Sequence, residues 1–234
     1  MIHRVLQRYI ASPLLLGKRK FHIRAYALAV DSLRVYLAQD CLALCAGTRY
    51  RQNETANLFA HITNTAYQDL DPNFRQDKCI LSWDEHDVAP ILVRDGACQN
   101  ASHAQQRIQQ VLRDMEAITA ELFRAYQTEF AVFSPIDGCF EHYGLDFMVD
   151  EKWHVYLLEV NPGPDFRQTG SRLTSIIEDL MGSTIDVAFN DGDNFDDNPQ
   201  SHPRATTVGN LNLVYEKGTR GRHGSGKGIN MKLS

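Results

Sequence analysis

At 234 residues the chain is long enough to bury a sizeable core, and its 43% apolar and 23% charged residues are those of an ordinary globular protein. A formal net charge of −5 argues against a dedicated nucleic-acid binder, and no apolar run approaches the roughly 18 residues of a membrane span. Five cysteines without CxxC spacing read as reduced thiols of an intracellular, cytoplasmic protein, not as a disulfide framework or a zinc site.

The first thirty residues contain no acid and carry Arg4, Arg8, Lys18, Arg19 and Lys20, a composition that a mitochondrial transit peptide shares, but they are read as folded structure rather than as a targeting segment. Within them, Gln7-Arg8-Tyr9-Ile10 is extended and β-compatible, and on its own carries no function. A meander follows: His22 to Val30 and Leu33 to Ala38 are expected strands joined at Asp31-Ser32, with a third run near Cys41 to Ala46. On the first strand Lys20, His22 and Arg24 share one face, and Ile23, Ala25 and Ala27 take the other. Three potentially cationic side chains in a row are usually a solvated surface. A phosphate site also needs such a face, because preorganised cations offset charge on a transferring phosphoryl group.

Residues 47–100 are loop-rich. They contain His61-Ile62-Thr63-Asn64, where a Thr-Asn pair capping a turn is the plain reading. Ala104 to Tyr126 is an amphipathic helix with the stripe Ile108, Val111, Leu112, Met115, Ile118, Leu122 and Phe123, and it reads as core.

Gly144 to Asp150 and Tyr156 to Pro162 are apolar, β-prone runs separated by the polar break Glu151-Lys152-Trp153-His154, so they form a hairpin. A four-residue loop pairs Asp150 with Val155 and sets Asp146 opposite Glu159. Asp146, Glu159 and Asn161 then share a face, next to Met148 and Leu157. Like charges directly across a ladder destabilise it, so the carboxylates need a proton or a cation between them. An all-oxygen Asp, Glu and Asn set suits Mg²⁺, which takes one or two carboxylates and completes its shell with phosphates and water. The competing reading is the polar rim of a sheet.

Leu173, Ile176, Ile177 and Leu180 mark a shorter helix that stops around Gly182. Residues 186–207 turn acidic and rich in Asn, Gly and Pro, as a disordered insertion does; their Asp191-Gly192-Asp193 lacks the glycine and glutamate of a calcium loop. The tail matches GxxxxGK at Gly221 to Lys227, but Gly228 replaces the required Ser or Thr and too few residues follow to form the helix.

Several of these segments resemble one family. Phe140 to Asp150 followed by Val155 to Asn161 looks like the magnesium hairpin of the tubulin–tyrosine ligase-like family, a branch of the ATP-grasp ligases. Val5 to Ile10, Pro13 to Leu16 and Arg19 to Arg24 are similar to its earlier motifs. The resemblance implies an α/β (α+β) fold: a partial ATP-grasp domain over 1–184, mainly antiparallel sheet with flanking helices. An acidic linker over 185–210 and a Gly/basic tail over 211–234 would follow. It implies ATP and Mg²⁺ as cofactors, with Gln7, Arg8, Tyr9 and Ile10 lining the adenine and Lys20, His22, Thr63 and Asn64 on the nucleotide. Asp146, Glu159 and Asn161 would hold the metal, and Lys20 and Arg24 would act in catalysis. The implied activity is ligation of a free amino acid to an acidic protein C-terminal tail, tubulin-like, through an acyl phosphate.

Three departures stand out. His22 replaces an aspartate of the family pattern. Leu44 stands where the family has the arginine that grips the amino acid. The adenine-lining segment that the resemblance implies begins near residue 5, so the resemblance covers only the second part of the catalytic module. A non-catalytic binding or regulatory module retaining the fold is the alternative that these departures favour.

Overall fold

The computed structural model describes residues 6–129, 134–164, 166, 174–190 and 206–218. Its organising element is a 12-residue strand, β2 (Arg19–Val30). Along one edge it pairs antiparallel with β6 (Phe140–Val149), from Ile23↔Phe147 to Val30↔Phe140. Two strands share the other edge end to end: β4 (Leu42–Cys45) lies against Phe21 to Arg24, and β3 (Arg34–Ala38) against Ala27 to Val30. The sheet extends beyond β4 to β5 (Ile80–Ser82), beyond β6 to β7 (Val155–Pro162), and beyond β3 to β9 (Leu211–Glu216) and β8 (Thr207–Val208). The two-residue β1 (Leu15–Leu16) reaches β2 through Gly17 and Lys18, both at φ near +60°, a tight turn that glycine makes without strain.

Alternation along β2 builds two different surfaces. Phe21, Ile23, Ala25, Ala27 and Ala29 join Tyr143, Leu145, Phe147 and Val149 of β6 in the main core. The helix α5 (Ala101–Tyr126) closes that core with Ile108, Val111, Leu112, Met115 and Phe123. Each such side chain contributes about 1.5–3 kcal/mol on burial. The helix begins three residues before the expected Ala104 because Asn100 caps it, its side chain accepting from His103 N at 2.9 Å. On the other face Tyr26, Leu28 and Val30 lie under Leu180 and Val187, carried by α6 (Thr174–Ile185) and the π-helical turn Asp186–Asn190 that continues it. Of the β2 side chains on that face, Lys20, His22 and Arg24 are the polar ones.

Four short helices occupy the loop-rich region: α1 (Leu58–His61), α2 (Thr65–Gln68), α3 (Gln76–Cys79) and α4 (Ala89–Arg94). The helix expected to stop at Gly182 runs on because Val187 still finds apolar partners. The expected tail from 211 begins instead with a paired strand. Leu211 and Leu213 face α6, and Tyr215, beyond a bulge, faces α5. Residues 191–205 of the acidic stretch and the GxxxxGK tail lie outside the described residues. All five cysteines are free thiols. Among the described residues no helix is long and apolar enough to cross a membrane.

Candidate active site

Asp146 and Glu159 are paired directly across the β6–β7 ladder, as the hairpin register predicts. The route to that pairing differs from expectation. Val149, not Asp150, faces Val155, so the loop has five residues, and a bulge at Leu158 restores the register between Phe147 and Asp146. Asp150 makes the longer loop possible. Its Oδ1 accepts from Lys152 N and His154 N, and its Oδ2 meets His154 Nδ1 and accepts from Tyr156 OH at 3.1 Å. Partial burial pushes its carboxyl up, but these hydrogen bonds together outweigh it and hold the group below the ordinary carboxylate range. The bulge also corrects one neighbour: Leu157 pairs with Phe147 and packs on the α5 core, while Tyr156 takes the place opposite Met148.

Asp146 reaches across to β2 as well. Its Cα partner there is Arg24, which donates to it twice, Nε to Oδ1 at 2.5 Å and Nη2 to Oδ2 at 3.0 Å. Both residues are only 6% exposed. Burial alone would weaken the guanidinium's hold on its proton, but Asp146 outweighs it and raises the Arg24 pKa further. Gly144 makes room for this pair: a Cβ there would stand 3.1 Å from Pro164 Cβ and 3.5 Å from the Arg24 side chain. Glu159 is exposed, and its Oε1 accepts from Asn161 Nδ2 at 3.0 Å.

His22 lies between Lys20 and Arg24 on the same face. Its Nδ1 is 2.6 Å from Thr63 Oγ1, and its Nε2 is 3.7 Å from Asp146 Oδ1. Burial, reinforced by the Arg24 charge, drives its pKa down to about 3, so the imidazole is neutral. Lys20 donates to Tyr9 OH at 3.0 Å and sits 4.4 Å from the centre of that ring, yet burial still lowers its pKa to about 8. The Tyr9 hydroxyl also meets His61 Nδ1 at 2.7 Å, and burial pushes its pKa above the ordinary value.

Thr63 is fixed by the loop around it. Gln68 donates to Phe59 O and Ile62 O and accepts from Gly47 N, tying the α1–α2 segment to the end of β4. Asn64 turns away to cap α2, accepting from Tyr67 N. Gln7 and Arg8 are exposed and Ile10 is half-buried; the segment has no strand partner. Leu44, the Cα partner of His22, is buried with Leu42, Ile80 and Ile176, so the face beside His22 is apolar there and carries no arginine. The face thus gathers Lys20, His22, Arg24, Thr63 and Asp146, with Glu159 and Asn161 along its rim. The sequence reading gave no role of their own to His61 or Gly144. His61 was visible as part of a motif, whereas Gly144 has significance only once Arg24 is seen to cross it.

Residues 2–195 match the model of the tubulin-tyrosine ligase family. The chain belongs to that family. It is 36% identical over 188 residues to a probable tubulin–tyrosine ligase of Schizosaccharomyces pombe, covering 79% of this chain and 42% of that protein. It is 31% identical over 195 residues to the probable tubulin–tyrosine ligase PBY1 of Saccharomyces cerevisiae, covering 78% and 24%. With the probable tubulin polyglutamylase TTLL9 of Bos taurus it shares 28% over 224 residues, covering 95% and 45%. The chain therefore spans less than half the length of these relatives. The C-terminal domain of K. lactis Pby1, described as an ATP-grasp enzyme interacting with the mRNA decapping enzyme Dcp2, superposes with a TM-score of 0.59 at 23% identity, covering 89% of this chain and 51% of that one. The fold is that of an ATP-grasp domain, in the part that carries β2 and the β6–β7 hairpin.

Proposed function

We propose that this chain forms the metal- and phosphate-binding part of an ATP-dependent carboxylate–amine ligase that adds an amino acid to an acidic protein tail. The observation that carries the reading is the shared face of β2, β6 and β7. It sets two cations, Lys20 and Arg24, beside two facing carboxylates, Asp146 and Glu159. The donor chemistry fits a hard divalent cation. Asp146 keeps lone pairs beyond the two used by Arg24, Glu159 is open to solvent, and the Asn161 carbonyl oxygen adds a neutral ligand. Among the described residues no three His, Cys, Asp or Glu side chains are already gathered as a metal cluster, so Glu159 has to turn from Asn161 toward Asp146. Bound Mg²⁺ would neutralise charge on the β- and γ-phosphates.

In this reading the nucleotide's adenine lies along Gln7 to Ile10, with Thr63 near the phosphates, while Asn64 would have to leave its cap of α2 to reach them. Lys20 and Arg24 hold the γ-phosphoryl group while an oxygen of the acceptor carboxylate attacks it. The bond to ADP breaks and an acyl phosphate forms. The amine of the incoming amino acid then attacks the acyl carbon, and inorganic phosphate leaves as the amide forms. Both cations act by charge and position, and His22, neutral, takes no proton in these steps.

Phosphorus NMR of MgATP titrated with the chain tests the binding half. The β and γ resonances should broaden and shift, and the effect should vanish in Lys20→Ala and Arg24→Ala. Unchanged β and γ signals at saturating protein would remove the phosphate assignment. A second reading, a binding or regulatory module without ligase activity, is favoured by Leu44, since an apolar cluster stands where an amino-acid carboxylate would need a cation. Nucleotide binding without any ADP release in the presence of an acidic peptide and amino acids would decide for it.

A further inference from the structure

One ring nitrogen of His22 is unused. Nδ1 is engaged by Thr63, whereas Nε2 is sealed from solvent without a hydrogen-bond partner, in a residue that is 5% exposed. A buried polar atom left unpaired costs about 1–3 kcal/mol, and native structures leave few of them. Asp146 Oδ1 stands 3.7 Å from it, too far for a hydrogen bond, and is already taken by Arg24 Nε on one side. The two tautomers differ in consequence. With the proton on Nδ1, donated to Thr63 Oγ1, Nε2 presents a lone pair toward a carboxylate oxygen. That juxtaposition is repulsive unless a cation lies between the two.

The spacing suits one. Two ligand atoms each about 2.1 Å from an ion and separated as these are subtend an angle of about 120° at it, well within ordinary coordination. Resting on the metal reading given above, we propose that His22 Nε2 is a direct metal ligand. Together with Asp146, Glu159 and Asn161 it makes a mixed nitrogen–oxygen centre that takes Mn²⁺ in preference to Mg²⁺. The chemical ground is ligand softness. Mg²⁺ demands oxygen and sheds water reluctantly, whereas first-row transition ions accept imidazole readily. An aspartate at this position, as in the family pattern, would present oxygen instead. His22 is thus the residue in this chain that sets metal selectivity, and Thr63 is a positioning residue that holds the ring through Nδ1 and leaves Nε2 facing Asp146.

The test is electron paramagnetic resonance of the whole chain titrated with Mn²⁺. Loss of the free-ion signal reports binding, and electron spin-echo modulation reports the ligating atom. Wild-type protein should show the ¹⁴N modulation of a bound imidazole, and this should change to the ¹⁵N pattern when histidine is isotopically labelled, which needs no substitution. Mn²⁺ should outcompete Mg²⁺, which demands oxygen ligands. His22→Asp should still bind Mn²⁺, without nitrogen modulation and with the preference moved toward parity. Mn²⁺ bound without nitrogen modulation in wild type, or modulation undiminished in His22→Asp, overturns the assignment of His22 while leaving the carboxylate site standing. Wild-type protein that fails to bind Mn²⁺ at all overturns both.

Discussion

The Arg24–Asp146 pair offers the sharpest energetic test, because its two partners are equally buried and directly opposed across a ladder. Arg24→Met keeps most of the aliphatic stem and deletes the charge. It leaves Asp146 in low dielectric, facing Glu159 across the hairpin and a neutral His22. Removing one partner of a buried, doubly hydrogen-bonded pair costs about 3–5 kcal/mol. For a protein of this size each kcal/mol lowers Tm by about 2–4 °C, so a fall of about 6–20 °C is expected. Asp146→Asn should cost less, since Glu159 still lies close enough to share the Arg24 charge. The double variant Arg24→Met/Asp146→Leu should recover most of the loss, because two well-packed apolar side chains often match a buried ion pair. Urea unfolding of wild type, Arg24→Met, Asp146→Leu and the double variant gives the cycle, and a coupling energy above about 1.5 kcal/mol is expected. Added Mg²⁺ should rescue Arg24→Met more than wild type, since it supplies the missing positive charge. Single variants each costing under about 1 kcal/mol with no coupling would show that the pair is solvated, and the buried site argued above would lose its basis.

Three further outcomes follow from the geometry. Lys20, with a pKa near 8, is charged below that pH and neutral above it; a polyphosphate ligand favours the charged form, so affinity should fall as pH rises from about 7 to 9. Tyr9, in contact with it, and His22 and Arg24, along the same strand face, do not titrate in that window, so Lys20→Arg should flatten the profile; an unchanged slope in that variant assigns the effect elsewhere. Gly144→Ala should destabilise by about 1–3 kcal/mol through crowding against Pro164 and should also weaken phosphate binding by displacing Arg24, whereas a silent variant would mean that the strand gives way freely. Val187→Ala should cost about 1–2 kcal/mol in thermal unfolding although it lies in the segment whose composition reads as an insertion; no loss would mean the π-helical turn does not pack on Tyr26 and Leu28.

What the sequence discloses here depends on whether one or two periodicities carry the information. The α5 stripe and the alternation in β2 are single-element patterns, and they foretell the main core and the shared face of Lys20, His22 and Arg24. The Asp146–Glu159 register was legible for a less secure reason. The counted loop is one residue too short and the bulge at Leu158 is one residue extra, so the two offsets cancel at Asp146 but not at Leu157. A bulge leaves no compositional mark, because it is fixed by what the side chains on either side must reach. The β9 strand was missed because Leu211, Leu213 and Tyr215 follow an acidic run whose composition dominates any window that includes them.

The burial of the cationic face was the least legible feature. A row of lysine, histidine and arginine reads as solvated surface until the segment around Tyr9 and the Gln68-stitched loop around Thr63 are folded over it. Those covering residues lie far away in sequence from β6 and β7, and no local pattern marks them as a roof. Once in place, they change the chemistry of each side chain beneath. The ammonium of Lys20 is brought toward neutrality, the imidazole of His22 is held neutral, and the guanidinium of Arg24 is bound to Asp146. A surface strip of three charges becomes a site with one fixed cation, one adjustable cation and one neutral nitrogen donor. That differentiation is what the proposed phosphate and metal binding would require of a basic face, and it comes from the roof as much as from the strand.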